Sequence, residues 1–409
     1  MKHIFRNWIL SFLLAGTVGS LQAQTADTLL TDTCTTDTIA ELPWPQNLQA
    51  RLDTLTSDRM FDYTQLGLMV YDITADSTLY ARGAKQIMRP ASTMKLLTAI
   101  TALDQLGQSY RFSTSLYYTG QVEDSVLVGD LYCVGGMDPL FNNSDMEAFS
   151  ASVKALGIHT LKGRLVAVNS FKDPDLLGEG WCWDDDNPSL SALLINGKDE
   201  FISRLAQQLD KDSIFPDGPA DIAALPKDAI LLCQRTHAIE DVLIPMMKDS
   251  NNLYAESMFY QIGAASGARP AKASHARKAI KHTLHKAGVK DAHYKIADGS
   301  GLSLYNYVTP ELLTKLLTYA YRKAGIYRYL YESLPVAGED GTLKKRMKDT
   351  PAQINIHAKT GTLTGISSLA GYAIAANNHI LAFSIINQGV IKNEQGRNFQ
   401  DKVCAALCK

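Results

Sequence analysis

The stretch RPASTMKLLTAI, residues 89–100, places Ser92 and Lys95 one helical turn apart in a run that is otherwise almost entirely apolar. Burying a lysine is costly unless hydrogen bonds or charges replace its lost hydration. At positions i and i+3 of a helix, two Cβ atoms lie about 5–6 Å apart. A lysine held there with little water loses its proton more easily, and the neutral amine can deprotonate the serine hydroxyl. The stretch therefore predicts a helix that begins near Pro90 and carries Ser92 as a candidate nucleophile with Lys95 as its base.

The pattern after Lys95 supports this helix. Leucine and isoleucine recur at helical spacing and stop at Gly107. Ser92 is expected in the first turn, where unpaired backbone N–H groups favour negative charge. Considered alone, Ser-x-x-Lys also fits two exposed polar residues near a helix start, because it arises by chance about once or twice in a chain of this size.

A second polar cluster, Ser250-Asn251-Asn252, lies in MMKDSNNLYAESMF between two helical patterns. The hydroxyl of Ser250 and the amide of Asn252 are two residues apart on a loop, so both can face one cleft. The alternative is an N-cap, because serine and asparagine are favoured at helix starts. Considered alone, this cluster favours capping.

The third cluster, Lys359-Thr360-Gly361-Thr362, ends a strand-like pattern in IHAKTGTLTG. It presents an ammonium and two hydroxyls along one strand, and Gly361 has no side chain to keep a ligand backbone away. This chemistry suits a carboxylate, which would take charge from Lys359 and hydrogen bonds from the threonines. The alternative is a polar edge strand with a turn glycine, although Lys-Thr-Gly arises by chance in only about one such chain in ten.

Composition limits the classes of partner. The 409 residues are 46% hydrophobic and 20% charged, which allows a sizeable core, and the formal net charge is -2 at pH 7. No block rich in lysine and arginine is present, so neither nucleic acid nor an acidic membrane surface is expected as the main partner. The six cysteines show no zinc-finger spacing. Cys404 and Cys408 are expected on one helical face as buried small hydrophobes.

The amino terminus, MKHIFRNWILSFLLAGTVGSLQAQ, is typical of an export signal. A basic start precedes a short apolar core and then small residues, so cleavage is expected after Ala23, with Ser20 as the alternative. A membrane anchor is the competing interpretation, but the apolar run is short for a span. Residues 1–23 are therefore predicted to be a signal peptide and 24–43 a flexible Thr/Asp-rich leader, with no later segment that crosses a bilayer.

From residue 44 onward, two kinds of pattern alternate. Residues 44–110 and 231–409 combine strand pairs with helical patterns, and they are predicted to form one α/β body. Residues 111–230 contain short strand-like runs such as SVLVGDLYCVGG and include the Pro/Gly-rich FPDGPADIAALPKD. They are predicted to form a smaller mixed α/β insertion that splits the body. The end of the chain is predicted as strand, strand and helix, with a hairpin turn at Asn377-Asn378.

The three clusters occur in the order Ser-x-x-Lys, Ser-x-Asn and Lys-Thr-Gly, each once. This set is similar to that of the penicillin-recognising serine acyl transferases, the β-lactamases and penicillin-binding proteins. The long insertion between Lys95 and Ser250 resembles the low-molecular-mass D-alanyl-D-alanine carboxypeptidase/endopeptidases, the class C penicillin-binding proteins of DacB type and peptidase family S13. The stretches GDLYCVGGMDPLF, GWCWDDDNPSLSALLING, IADGSGLSLYNYVTP and KTGTLTGISSLAGY also resemble that family. The resemblance extends from about Trp44 to the end.

The resemblance implies a β-lactamase/transpeptidase-like fold, with an antiparallel sheet flanked by helices. It also implies that Ser92 attacks the carbonyl between two D-alanines and that Lys95 accepts its proton, although the identity of the base is disputed in some relatives. Backbone N–H groups of Ser92 and Thr362 would form the oxyanion hole. Ser250 would pass a proton to the departing amine, and Asn252 would orient the peptide. The implied carboxylate-binding residues are Lys359, Thr360, Gly361 and Thr362.

The same resemblance implies partners and a location. The implied substrate is the peptidoglycan stem peptide, β-lactams would be covalent inhibitors, and no metal or organic cofactor is required. The implied location is the periplasm. In this family an aromatic and an acid of the insertion can contact the amino-bearing side chain of the stem peptide, and Trp181 and Asp184 are the candidates here. A solvated acidic turn before Pro188 explains Asp184 equally well.

Two departures from the family pattern and two other functions stay open. Asn251 stands where many relatives have aspartate, and the insertion is shorter than in the largest relatives, which leaves endopeptidase activity open. A β-lactamase or related serine esterase would share the acylation step but add fast deacylation. A penicillin-sensing protein would be acylated without turnover. The stretch DGSGLS, residues 298–303, is interpreted as a structural loop that leads to a helix beginning at Thr309 and Pro310.

Overall fold

Residues 42–184, 187–290 and 293–409 are described by the computed structural model of this chain. The signal peptide predicted for 1–23 lies outside the described residues, as does the leader predicted for 24–43 except for its last two residues. Within the described ranges, no helix is both long enough and apolar enough to cross a membrane.

Helices and strands alternate along the described chain. The helices are α1 (Gln46–Thr56), α2 (Lys95–Gln105), α3 (Asn143–Lys154), α4 (Phe201–Lys211), α5 (Ile239–Lys248), α6 (Asn252–Ala264), α7 (Ala273–Lys286), α8 (Pro310–Tyr321), α9 (Ala324–Ser333) and α10 (Asn393–Leu407). Short 3-10 turns are formed by Arg59–Asp62, Ala91–Met94 and Gly341–Leu343. The strands are β1 (Gln65–Asp72), β2 (Ser77–Arg82), β3 (Arg111–Tyr118), β4 (Gln121–Glu123), β5 (Val126–Val128), β6 (Leu131–Val134), β7 (Thr160–Lys162), β8 (Leu165–Val168), β9 (Phe215–Pro216), β10 (Asp221–Ile222), β11 (Ile230–Ala238), β12 (Ile356–Leu363), β13 (Ile366–Ile374) and β14 (Ile380–Gln388).

The main sheet of the described chain has the strand order β12–β13–β14–β1–β2, and all of its neighbours are antiparallel. The predicted hairpin turn between β13 and β14 is confirmed, and Asn378 takes the left-handed conformation, with φ of 65°, that such a turn needs. The predicted helix start at Thr309 is also confirmed, because its hydroxyl accepts a hydrogen bond from the Leu312 N–H at 3.1 Å.

Alternate residues of each strand point to opposite sides of this sheet, and helices cover both sides, so both faces are buried. On one side, Leu369 and Ala373 pack with α1 and α10. On the other side, Ala370 and Tyr372 pack with α2, α6 and α8. Cys404 lies on α10 and Cys408 directly follows its end, and both are buried small hydrophobes in the first of these cores, as predicted. The α/β fold with an antiparallel sheet flanked by helices is therefore confirmed.

Two smaller sheets lie in the predicted insertion. One has the order β10–β8–β6–β3–β11 and the other β4–β5–β7–β9, and both mix parallel and antiparallel neighbours. A separate apolar core that includes Leu116, Phe141, Phe149 and Phe201 joins them to α3 and α4. Strand β11 pairs with β3, so the sheet begun after residue 111 continues to Ala238. The division into a body and an insertion at residues 110 and 230 stays a prediction.

Candidate active site

The 3-10 turn Ala91–Met94 and the start of α2 bring the first cluster together. The turn packs against β12 and β13, and α2 packs along α6. Lys95 Nζ donates a hydrogen bond to Ser92 Oγ at 3.0 Å. Ser92 and Lys95 are thus in the proximity that their i, i+3 spacing predicts, although the segment begins as a 3-10 turn and becomes α-helical only at Lys95.

The amine of Lys95 is fully buried and donates hydrogen bonds to three acceptors. Besides Ser92 Oγ, these are Asn252 Oδ1 and the Ser300 carbonyl, each at 2.8 Å. Burial lowers the pKa of Lys95 to about 7, against the negative charges of Asp298 and Glu256, which favour the ammonium. The ammonium has one proton for each acceptor, whereas the neutral amine can instead accept the proton of Ser92. The three hydrogen bonds therefore compensate for the lost hydration of Lys95. Its lowered pKa leaves it able to act as a base near neutral pH.

The second cluster contributes to the same site through Asn252. Asn252 opens α6 and lies 157 residues from Lys95 in sequence, yet their side chains are hydrogen-bonded. The capping role falls to Asn251, whose Oδ1 accepts from the Tyr254 N–H at 3.2 Å. Ser250 stands just before, in a left-handed conformation with φ of 61°. The cap is therefore formed by Asn251 and the contact with Lys95 by Asn252, while the catalytic roles of Ser250 and Asn252 stay predictions.

Lys359 is a second buried amine near Lys95. It lies on β12 directly opposite Ala370, so its side chain points to the sheet face that packs against α2 and α6. Its Nζ donates to the Thr360 carbonyl at 2.8 Å. Burial and the positive charge of Lys95 hold the pKa of Lys359 well below its usual value. An incoming carboxylate would favour the charged form of Lys359, which suits the predicted anion site.

β12 is an edge strand of the main sheet, and part of its outer edge carries no further strand. Near its start, the Ala358 N–H donates to the Pro335 carbonyl at 3.0 Å. In an antiparallel ladder, every second residue directs its N–H to the same edge. The N–H groups of Thr360 and Thr362 therefore share the edge that Ala358 uses. The role of Thr362 in an oxyanion hole stays a prediction, and this edge provides the donor that it needs.

Thr360 of the third cluster contacts the Gly341–Leu343 turn, which the sequence analysis did not identify as part of the site. Thr360 Oγ1 donates to Thr342 Oγ1 at 2.8 Å. Thr342 follows Gly341, where an added Cβ would lie 2.6 Å from the Lys248 carbonyl, two residues before Ser250. The Gly341–Leu343 turn therefore links β12 to the loop that carries Ser250.

The loop of residues 298–303 is part of the site, and its interpretation as a purely structural loop is incomplete. Its Ser300 carbonyl accepts from Lys95, and Thr98 Oγ1 on α2 donates to the Gly299 carbonyl at 2.7 Å. Gly301 lies so close to the Ala91 carbonyl that a Cβ there would collide with it. Ala91 itself has a strained φ of 48° next to Ser92. The sequence does not reveal the acceptors at Gly299 and Ser300, because they are backbone carbonyls, which every residue has.

Trp181 and Asp184 are not joined to the three clusters by any hydrogen bond among residues 42–184, 187–290 and 293–409. The indole N–H of Trp181 donates to Asp298 Oδ2 at 2.9 Å, so it supports the loop of residues 298–303. Asp184 is exposed in a turn. A contact between either residue and a stem peptide stays a prediction.

Gly361 packs so closely against the turn that carries Ser92 that no side chain fits there. A Cβ at this position would lie 2.8 Å from the Pro90 carbonyl and 2.9 Å from the Ser92 nitrogen, with Ser368 Oγ closer still. Gly361→Ala is therefore expected to displace Ser92. The acylation by β-lactams that the family resemblance implies should then slow at least about 100-fold, because misplaced groups react slowly. Stopped-flow acylation rates measure this effect. Gly325→Ala is the matched control, because α9 has room for a methyl group there, and equal rates in both variants would contradict the packing.

Comparison with solved structures places the fold in a known class. The crystal structure of penicillin binding protein 4 (dacB) from Haemophilus influenzae superposes with a TM-score of 0.79 and 23% sequence identity, covering 87% of this chain and 98% of that one. A structure of that protein complexed with a novel β-lactam superposes with a TM-score of 0.73 and 24% identity, covering 87% and 98%. The fold is therefore that of the penicillin-binding, transpeptidase-like proteins.

The sequence narrows this class to one family. A model of the D-Ala-D-Ala carboxypeptidase 3 (S13) family matches residues 48–197 and 186–408, and the chain belongs to this family. A D-alanyl-D-alanine carboxypeptidase from Actinomadura sp. (strain R39) is 29% identical over 440 aligned positions, covering 84% of this chain and 81% of that protein. The family resemblance read from the three clusters is confirmed.

Proposed function

We propose that this protein is an exported, periplasmic D-Ala-D-Ala carboxypeptidase of the serine type, acting on peptidoglycan stem peptides through an acyl-enzyme on Ser92. One observation carries the proposal: Lys95 Nζ lies within hydrogen-bonding distance of both Ser92 Oγ, at 3.0 Å, and Asn252 Oδ1, at 2.8 Å. It joins two clusters that are far apart in sequence. Membership of the S13 family and the name of the Actinomadura relative support the same activity.

In the first step, Ser92 Oγ attacks the carbonyl carbon of the penultimate D-alanine. Lys95, as the neutral amine, takes the hydroxyl proton as the new ester bond forms. The negative charge that develops on the carbonyl oxygen is stabilised by the backbone N–H groups of Ser92 and Thr362. Losing one such donor typically costs about 3 kcal/mol of transition-state stabilisation.

In the second step, the bond to the terminal D-alanine breaks and the leaving nitrogen needs a proton. Ser250 passes this proton on from Lys95, while Asn252 orients the peptide. The carboxylate of the departing D-alanine binds Lys359, Thr360 and Thr362, beside Gly361. Water then hydrolyses the ester and returns Ser92 to its starting state.

β-Lactams would act as covalent inhibitors because they acylate the same hydroxyl. Their amide is part of a ring, so the leaving nitrogen stays attached and blocks water from the ester. Trp181 and Asp184 are further candidates for contact with the stem peptide side chain, although the indole N–H of Trp181 already donates to Asp298. Cleavage of cross-linked peptides is a second activity that the same chemistry allows.

Release of D-alanine tests the proposal. A synthetic peptide ending in D-Ala-D-Ala is expected to release D-alanine, and the same peptide with a carboxy-terminal amide is expected to react about 100-fold more slowly. The amide removes the negative charge that Lys359 and the two threonines bind. A D-amino-acid oxidase assay measures the first product, and chromatography measures loss of the amide.

Exposure of the same protein to penicillin, together with the D-alanine assay, distinguishes this function from its alternatives. A stable penicillin adduct together with D-alanine release supports the carboxypeptidase. Rapid destruction of penicillin without an adduct would instead indicate a β-lactamase. Acylation by penicillin without any D-alanine release would indicate a sensing protein.

A further inference from the structure

Glu256 is a buried carboxylate that lies outside all three sequence clusters. It is on α6 one helical turn after Asn252, so the two side chains project from the same face. Glu256 is only 1% exposed. Its Oε1 accepts hydrogen bonds from the backbone N–H groups of Gly299, at 3.0 Å, and Ser300, at 2.7 Å.

These hydrogen bonds connect Glu256 to the base. The loop that Glu256 holds carries the Ser300 carbonyl, which accepts from Lys95 Nζ at 2.8 Å. Asn252, one turn earlier on α6, accepts from the same amine at 2.8 Å. A single turn of α6 therefore supplies one acceptor of Lys95 directly and fixes another through the loop.

Four buried ionisable side chains from different elements lie near enough for their charges to shift one another's pKa. They are Lys95 on α2, Lys359 on β12, Glu256 on α6 and Asp298 on the loop. Burial and the nearby charge of Asp298 raise the pKa of Glu256 to about 8, while burial lowers the pKa of Lys95 to about 7. Both pKa values lie in the neutral range, so the titration of each group affects that of the other.

Asp298 has a different task. Its two oxygens accept from four donors: the Trp181 indole, the N–H groups of Gly301 and Ser303, and the Asn306 amide. Asp298 thus fixes the fold of its own loop. A cavity of about 280 Å³ reaches both carboxylates, and the other charged residues that line it are Asp173, Asp175, Glu179 and Arg277.

We propose that Glu256 is a positioning residue for acyl transfer, which holds the Ser300 carbonyl against the amine of Lys95. The proposal rests on the proposed function, because it concerns the step in which Lys95 takes the proton of Ser92. Glu256 touches no reacting atom, so its effect is on the place and the charge state of the base.

The pH profile of acylation by benzylpenicillin tests this role. Glu256→Gln keeps the size of the side chain but is a weaker acceptor for the Gly299 and Ser300 N–H groups, so the ammonium of Lys95 loses the fixed Ser300 carbonyl as an acceptor. The acid limb of the profile is expected to move to lower pH by about one unit. The rate at the plateau is expected to fall about tenfold, because the amide is a weaker acceptor for the loop.

Two further variants test the position of the carboxyl group and the specificity of the effect. Glu256→Asp keeps the carboxyl group but withdraws it from the loop by one methylene, so we expect a lower plateau and a midpoint that moves in the same direction as in Glu256→Gln. Asp72→Asn is the matched control. Asp72 is an equally buried carboxylate at the end of β1. It is hydrogen-bonded to His379 Nδ1 at 2.6 Å and lies outside the three clusters. Its loss is expected to lower the melting temperature alone.

The outcomes are distinct. A Glu256→Gln profile with the wild-type midpoint, together with a lower melting temperature, would overturn the proposal in favour of a purely structural role. If Glu256→Gln does not fold, a Glu256→Asp variant with a wild-type plateau would overturn it instead. Failure of the wild-type protein to react with benzylpenicillin would contradict the proposed function itself, whatever the variants do.

Discussion

The Ser92→Ala variant is expected to keep its intact mass unchanged after exposure to benzylpenicillin, whereas the wild-type protein gains the mass of one drug molecule. Release of D-alanine from a D-Ala-D-Ala peptide is expected to fall by about 10⁴-fold or more, as in other enzymes that lose a serine nucleophile. The reason is chemical, since alanine offers no oxygen from which the ester can form. Electrospray mass spectrometry and the D-alanine assay measure both effects.

The variant is also expected to fold. Alanine removes the hydrogen bond between Ser92 Oγ and Lys95 without adding volume, and Lys95 keeps its bonds to Asn252 and Ser300. Ser274→Ala, on the exposed surface of α7, is the matched control and should form the adduct at the wild-type rate. An adduct on the folded Ser92→Ala variant would place the nucleophile elsewhere.

Lys95→Met is expected to lower the acylation rate by about 10³-fold, within the range that a general base contributes. Methionine fills a similar volume, but it has no amine to take the proton of Ser92. In the wild-type protein the rate should rise as the pH passes through about 7, because the amine loses its proton there. The variant should lose this rise. Stopped-flow acylation on both sides of neutral pH measures the rate and its pH dependence.

Lys278→Met is the control for the loss of a lysine as such. Lys278 is exposed on α7, so its replacement should change neither the rate nor the pH profile. A Lys95→Met variant that folds and retains the wild-type pH profile would show that another group takes the proton. Lys359, the second buried amine, would then be the first group to examine.

The sequence predicts those parts of the site that depend on side-chain chemistry. Ser92 and Lys95 are close because their i, i+3 spacing brings them together in any helical turn. The approach of Asn252 to Lys95 could be expected only from the family resemblance, since nothing local in the sequence joins positions 157 residues apart. The antiparallel sheet likewise follows from the resemblance, whereas the turn at Asn378 follows from local chemistry.

Other parts of the site carry no such signal. The Ser300 carbonyl is a backbone group, which every residue type has, so no pattern marks it as an acceptor for Lys95. Glu256 lies in an apolar helix pattern and is distinguished only by the loop that it holds. The link from Thr360 to Thr342 joins two ordinary threonines across 18 residues. Strand β11 starts where the predicted insertion ends, yet it pairs with β3 at the start of that insertion. The sequence gives no sign of this pairing, because the two strands are distant along the chain.

The central claim is that the three clusters form a single pocket around Ser92, and a crystal structure of the benzylpenicillin adduct tests it most directly. The predicted result is an ester on Ser92 Oγ, with the drug's carbonyl oxygen between the N–H groups of Ser92 and Thr362 and its carboxylate on Lys359 and Thr360. Ser250 should lie within hydrogen-bonding distance of the drug. An adduct on any other residue, or a drug that leaves Ser250 and Lys359 out of reach, would contradict the claim.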